Sequence, residues 1–129
     1  MSVSDHDLTA RGKVFLVEDD PMIRALTAEW IEDAGYVVAD FASGNEALEA
    51  LASGGEAHAA VLDLTLPDMR GDELAERLRA LQPNLALVYA TGDSNDLSDG
   101  ALDRPHTGLL HKPYSAADLQ SAIEKVAGA

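Results

Sequence analysis

The stretch "AVLDLTLPDMRGDEL", residues 60–74, decides the fold. Small and apolar residues run without alternation into Asp63. The apolar run resumes at Leu64 and breaks at Pro67, and Gly71 opens a segment with leucines at 74, 78 and 81. A continuous apolar run marks a strand covered on both faces, as in a parallel sheet. A leucine stripe at i, i+4 and i+7, stopped by Pro83, marks a helix lying on that sheet. Strand, turn and helix in this order leave one carboxylate at the strand's exit. Aspartate there is an ordinary turn residue. It is also where a rigid sheet would hold a reactive carboxylate.

The same alternation continues on both sides. "VFLV" (14–17), "YVVADF" (36–41), "AAVL" (59–62), "LALVYA" (85–90) and "GLL" (108–110) are the strand candidates. Pro21 suits a first helical position, Ile23, Leu26, Trp30, Ile31 and Ala34 follow, and Gly35 terminates. Ser43 to Glu46 reads as a capping box ahead of Leu48 and Leu51. Ser115 begins the last helix, with Leu119, Ala122, Ile123 and Val126 inward. Short connections between alternating elements predict an α/β, doubly wound, five-stranded parallel sheet with helices on both faces. Residues 13–127 form that domain, and the polar, aperiodic residues 1–12 read as a flexible tail. The stretch "DSNDLSDGALDRPHTG" (93–108) is the exception. Its apolar stripe is thin, Gly100 and Pro105 oppose a helix, and aspartates crowd it, so a fourth helix there should be short and frayed.

A chain of 129 residues with 47% hydrophobic and 25% charged residues is an ordinary globular domain. It has no cysteine, which excludes a disulfide scaffold and thiolate metal sites. No apolar run approaches the roughly 18 residues of a membrane span. The N-terminus lacks the apolar middle of a signal peptide, so a cytoplasmic location and no membrane partner are expected. The formal charge of −14 repels phosphate backbones, so direct nucleic-acid binding is not expected.

Ligands of doubly wound sheets sit beyond the carboxyl ends of the strands. The first strand ends in Glu18-Asp19-Asp20, the third in Asp63, the fourth in Thr91, and the fifth in Lys112 before Pro113. Each residue alone is unremarkable; the fold brings them together. Crowded carboxylates repel unless a proton or cation intervenes, and an all-oxygen cluster favours Mg²⁺. A carboxylate nucleophile beside a cation, a lysine and a hydroxyl is equipment for phosphoryl transfer.

The motifs "VFLVEDDPMIR" (14–24), "VLDLTLPDMRGDEL" (61–74), "ATG" (90–92) and "HKPYS" (111–115) resemble, in order and spacing, the receiver domain of two-component response regulators. The resemblance covers about residues 13–127 and implies a flavodoxin-like strand order of 2-1-3-4-5. It implies that Asp63 accepts a phosphoryl group from a phosphohistidine on a sensor histidine kinase or histidine phosphotransfer protein. It also implies Mg²⁺ bound by Asp19, by Glu18 through water, by Asp63 and by the Thr65 carbonyl. Thr91 and Lys112 should grip the phosphoryl oxygens, the Lys112–Pro113 bond should be cis, and an unidentified downstream protein should read the result. Such a domain is a phosphorylated switch rather than an enzyme acting on other molecules. One departure concerns the position three residues before the lysine, where the family usually has Tyr or Phe. Here it is Leu109, and an aromatic stands instead at Tyr89 in "YATGD". That resembles a stand-alone subset marked by Phe-Ala-Thr-Gly. The ordering of 93–108 would then carry the signal.

Three rivals are weighed against this. A haloacid-dehalogenase-type phosphatase also uses an aspartate nucleophile, but it needs a second Asp at 65, where the residue is Thr. A flavin or nucleotide domain needs a glycine- or hydroxyl-rich first loop, and "EDDPMIR" would repel phosphate. A degenerate receiver that only binds proteins would lack site residues, and all are present. The initial Met favours a stand-alone regulator over a piece of a hybrid kinase. His6, His58, His106 and His111 show no metal-ligand spacing and read as surface residues. Asp68 and Asp72 should serve the turn and the start of the third helix. Trp30 falls beside the first helix's core stripe, on the face that meets the phosphodonor in the family.

Overall fold

A computed structural model describes residues 11–128; the expected tail, up to residue 10, and His6 lie outside the described residues. Five strands, β1 (Lys13–Val17), β2 (Val37–Phe41), β3 (Ala59–Asp63), β4 (Ala86–Thr91) and β5 (Thr107–His111), alternate with four helices. These are α1 (Pro21–Asp33), α2 (Gly44–Ala52), α3 (Gly71–Leu81) and α4 (Ala116–Ala127). The strands form one sheet in the order β2-β1-β3-β4-β5, every neighbouring pair parallel.

The continuous apolar runs arise because successive side chains point to opposite faces of a sheet covered on both. Phe15, Leu62 and Leu87 join Leu51, Leu74 and Leu78 under α2 and α3. Val14, Leu16 and Val61 join Ile31, Leu119 and Ile123 under α1 and α4. Strand ends therefore inherit rigid supports on both sides. Among the described residues, no helix is long and apolar enough to cross a membrane.

Three of the four helices start at a side-chain cap; α3, with Arg70 at its N-cap position, has none. Asp20 accepts from the Met22 and Ile23 amides at 2.9 and 3.1 Å. At α4, Ser115 and Asp118 form a complete capping box. At α2 the box is only half made: Ser43 Oγ accepts from the Glu46 amide, but the Glu46 carboxylate accepts from that hydroxyl rather than from the Ser43 amide. Gly35 ends α1 with φ 102°, a left-handed value open to glycine.

Three local expectations change. Leu81 is 50% exposed, because it is the last residue of α3, and Leu85 supplies the buried leucine at that end. Asp68 serves α2, not α3: its carboxylate accepts from the Gly44 and Asn45 amides at 2.9 and 2.8 Å. Arg11, placed by the sequence in the tail, donates to Glu124 and to the Ala34 carbonyl and lies over the Tyr36 ring. The 93–108 segment forms two single 3-10 turns, Ser94–Asp96 and Ala101–Asp103, and no α-helix.

Candidate functional site

The carboxyl ends of β1, β3, β4 and β5 meet at one open cleft of about 510 Å³, bordered by Glu18, Asp19, Asp63, Thr65, Thr91 and Lys112. Every site residue expected from sequence lies there. Glu18, Asp63 and Thr91 are buried, Asp19 and Thr65 are exposed, and Lys112 is half-buried. Carboxylate oxygens of Glu18, Asp19 and Asp63 lie within 4.8 Å of one another. The Lys112 ammonium donates to Glu18 Oε1 at 3.0 Å and sits 3.2 Å from Asp63 Oδ1. The peptide bond after it, Lys112–Pro113, is cis. Asp20 also borders the cleft, but its carboxylate caps α1 and is not among the three that converge.

Three carboxylates against one ammonium leave the cluster electrically unbalanced. Burial pushes the Glu18 carboxyl above the usual glutamate range, although the Asp20 amide and Lys112 favour its charge; the neighbouring Asp63 adds to the rise. Burial opposes the Lys112 charge, but the hydrogen bond to Glu18 and the Asp63 carboxylate outweigh it and hold its pKa above the usual lysine range. An all-oxygen donor set with surplus negative charge, partly open to solvent, fits a hard divalent cation such as Mg²⁺.

Around Asp63 the backbone is tightly held. Leu64 N donates to the Ala90 carbonyl and Gly71 N to the Leu64 carbonyl, at 3.2 and 2.7 Å. A Cβ on Gly71 would fall 2.8 Å from Leu64 Cα and overlap the Asp63 carbonyl, so only glycine lets α3 start this close. The Thr91 hydroxyl donates to the Asp93 carbonyl and accepts from the Asp93 amide, both at 3.1 Å. It is thus tied to the 93–108 segment rather than to Asp63.

The sequence reading missed the network holding that segment. Asp72, buried at the start of α3, accepts from Arg70 Nε and Nη2 at 3.1 Å and from Ser98 Oγ at 2.5 Å. Arg70 also donates to the Asp96 carbonyl. Farther along α3, buried Arg79 donates to the carbonyls of Leu85 and Pro105 and to the Thr107 hydroxyl. An arginine one turn after inward Ala75 was the available signal; its partners were not. His58, His106 and His111 are exposed, as expected. Trp30 is half-buried and packs edge-on against Tyr114, with ring centroids 6.3 Å apart.

Residues 14–124 match the family model described as response regulator receiver domain. The response regulator receiver protein CpdR of Brucella abortus is 34% identical over 116 residues, which cover 88% of this chain and 95% of that protein. The sensor kinase CckA of the same organism is 32% identical over 122 residues, 93% of this chain but only 13% of that kinase. The chain therefore spans a small part of some relatives and nearly all of others. Among solved structures, the response regulator TrrA of Thermotoga maritima, in complex with Mg(2+)-BeF, superposes with a TM-score of 0.77. It is 25% identical, and the match covers 88% of this chain and 97% of that one.

Proposed function

The chain belongs to the response regulator receiver domain family of two-component systems, and on that premise we propose that Asp63 is its phosphoacceptor. The observation that carries this is the Lys112 ammonium, 3.0 Å from Glu18 and 3.2 Å from Asp63, reaching from the end of β5 past β4 to the ends of the adjacent strands β1 and β3. An Asp63 carboxylate oxygen attacks the phosphorus of a phosphohistidine. The O–P bond forms as the P–N bond breaks, and the imidazole nitrogen leaves with the electron pair and takes up a proton. Lys112 exchanges its carboxylate partner for a phosphoryl oxygen. Thr91 releases Asp93 and donates to another.

Glu18, Asp19, Asp63 and the Thr65 carbonyl are the groups that would hold Mg²⁺. When bound, the cation neutralises charge on the phosphoryl oxygens. Support comes from the carboxylate cluster itself and from the Mg(2+)-BeF complex of TrrA.

The donor is a sensor histidine kinase or a histidine phosphotransfer protein, a reading supported by the sensor kinase among the relatives. An apolar groove of about 420 Å³ runs from Lys112 and Pro113 past Tyr114 to Ile23, Leu26 and Trp30, and suits the docking of such a donor. A downstream protein, rather than nucleic acid or membrane, reads the phosphorylated state in the cytoplasm. A dehalogenase-like phosphatase is disfavoured because an exposed Thr65 stands where it needs an acid. The two differ in stoichiometry: the receiver takes one phosphoryl group per chain from a phosphorylated kinase, whereas the phosphatase would release phosphate from esters continuously. Steady ester turnover by the purified protein would overturn the reading.

A further inference from the structure

The Thr65 carbonyl, one of the four groups that would hold the cation, stands in a loop rather than on a strand. A single antiparallel bridge pairs Thr65 with Arg70, and the Gly71 amide donates to the Leu64 carbonyl at 2.7 Å. These contacts close residues 64–71 into a hairpin with 66–69 as its tip. Leu66 and Met69 turn into the core under α2 and α3, while Pro67 and Asp68 between them are exposed. Exposed loop tips are ordinarily the mobile parts of a fold. Mg²⁺ demands near-ideal octahedral geometry, so a carbonyl that moves with its loop is a poor ligand.

Asp68 removes that freedom. Its two carboxylate oxygens accept from the Gly44 and Asn45 amides at 2.9 and 2.8 Å, two of the orphan donors at the start of α2. Ser43 already serves the Glu46 amide, so the local sequence caps this helix by itself. A second cap, from a residue 23 positions further along the chain, fixes the loop as much as the helix. The approach is close: a Cβ on Gly44 would fall 2.8 Å from Met69 Sδ. Burial works against the Asp68 charge, but the Asn45 and Gly44 amides prevail and hold its carboxyl below the usual aspartate range. We propose that Asp68 is a positioning residue for the cation. By tying the loop tip to the α2 amides, it fixes where the Thr65 carbonyl stands relative to the Glu18, Asp19 and Asp63 carboxylates. This role rests on the reading of the Thr65 carbonyl as a cation ligand.

The test titrates MgCl₂ alone, at constant ionic strength, into the unphosphorylated full chain, with the amides of residues 63–65 followed by NMR. In Asp68→Ala, held well below its melting temperature, the Kd for Mg²⁺ should rise about tenfold, as loss of a group that orients metal ligands does. Asp68→Asn loses the same charge but keeps an oxygen for the α2 amides, so its Kd should lie between the two. Ser43→Ala weakens the same helix start without touching the loop; it should lower the melting temperature and leave the Kd unchanged. A Kd unchanged in Asp68→Ala, or raised equally by Asn and Ala, would overturn the proposal. So would a Kd that rises in Ser43→Ala, because helix stability alone would then account for the effect. If Asp68→Ala does not fold, a native Kd in Asp68→Asn overturns it. A native chain that binds no Mg²⁺ would overturn the cation site itself, and the role of Asp68 with it.

Discussion

Gly71 and Asp63 are eight residues apart in the chain, and backbone contact makes them one unit. With a Cβ at 71, either the α3 start or the Asp63–Leu64 backbone must move. Gly71→Ala should therefore destabilise the fold by about 1–3 kcal/mol, as overpacking against immovable atoms does. It should also slow phosphorylation, because the carboxylate is displaced from Lys112. Denaturant melts and the labelling rate of the variant measure both; unchanged values would mean that the contact is dispensable. Asp63, Thr91 and Lys112 were legible in the sequence because each closes an apolar run, and strand ends of a parallel sheet must converge. Asp72 was not. A buried carboxylate in the first turn of a helix looks like any helix-start acid until Ser98, 26 residues away, is seen against it.

At the scale of elements, all five strands and four helices follow from apolar period and caps, and their order in the sheet from the family's motifs. What period cannot convey is polar contact between loops: Arg79 on the Pro105 carbonyl, or Asp68 on the α2 amides. The 93–108 segment illustrates the gap. Its thin apolar stripe excludes a full helix, and the structure has two 3-10 turns there, yet Asp72 and Arg79 tie it to α3 at two points. Burial works against the Asp72 charge, but its hydrogen bonds to Arg70 and Ser98 prevail and hold its carboxyl below the usual aspartate value of 3.8. A depressed folded-state pKa adds stability that is fully present above the unfolded value and is lost as pH falls through the folded one. The stability difference between the native chain and Asp72→Asn should thus be largest near neutrality and shrink below about pH 4. Amide exchange across 95–103 should rise in the variant, and it should change in the native chain when a phosphoryl mimic binds. Exchange indifferent to both would remove the segment from the signalling route.

The whole molecule carries a formal charge of −14, and part of that excess is concentrated where Glu18, Asp19 and Asp63 converge. A cation that binds only the folded cluster stabilises the fold by mass action. Millimolar Mg²⁺ should raise the melting temperature more than sodium chloride of equal ionic strength, which only screens the general repulsion. The difference should vanish in Asp19→Ala. Equal effects of the two salts would mean that there is no specific site. The most direct test of the account is intact-mass measurement after incubation with a small phosphodonor, such as phosphoramidate, and Mg²⁺. The native chain should gain one acid- and base-labile phosphoryl group, and Asp63→Asn should gain none. Equal labelling of Asp63→Asn, or labelling of the native chain undiminished by chelating the metal, would contradict it.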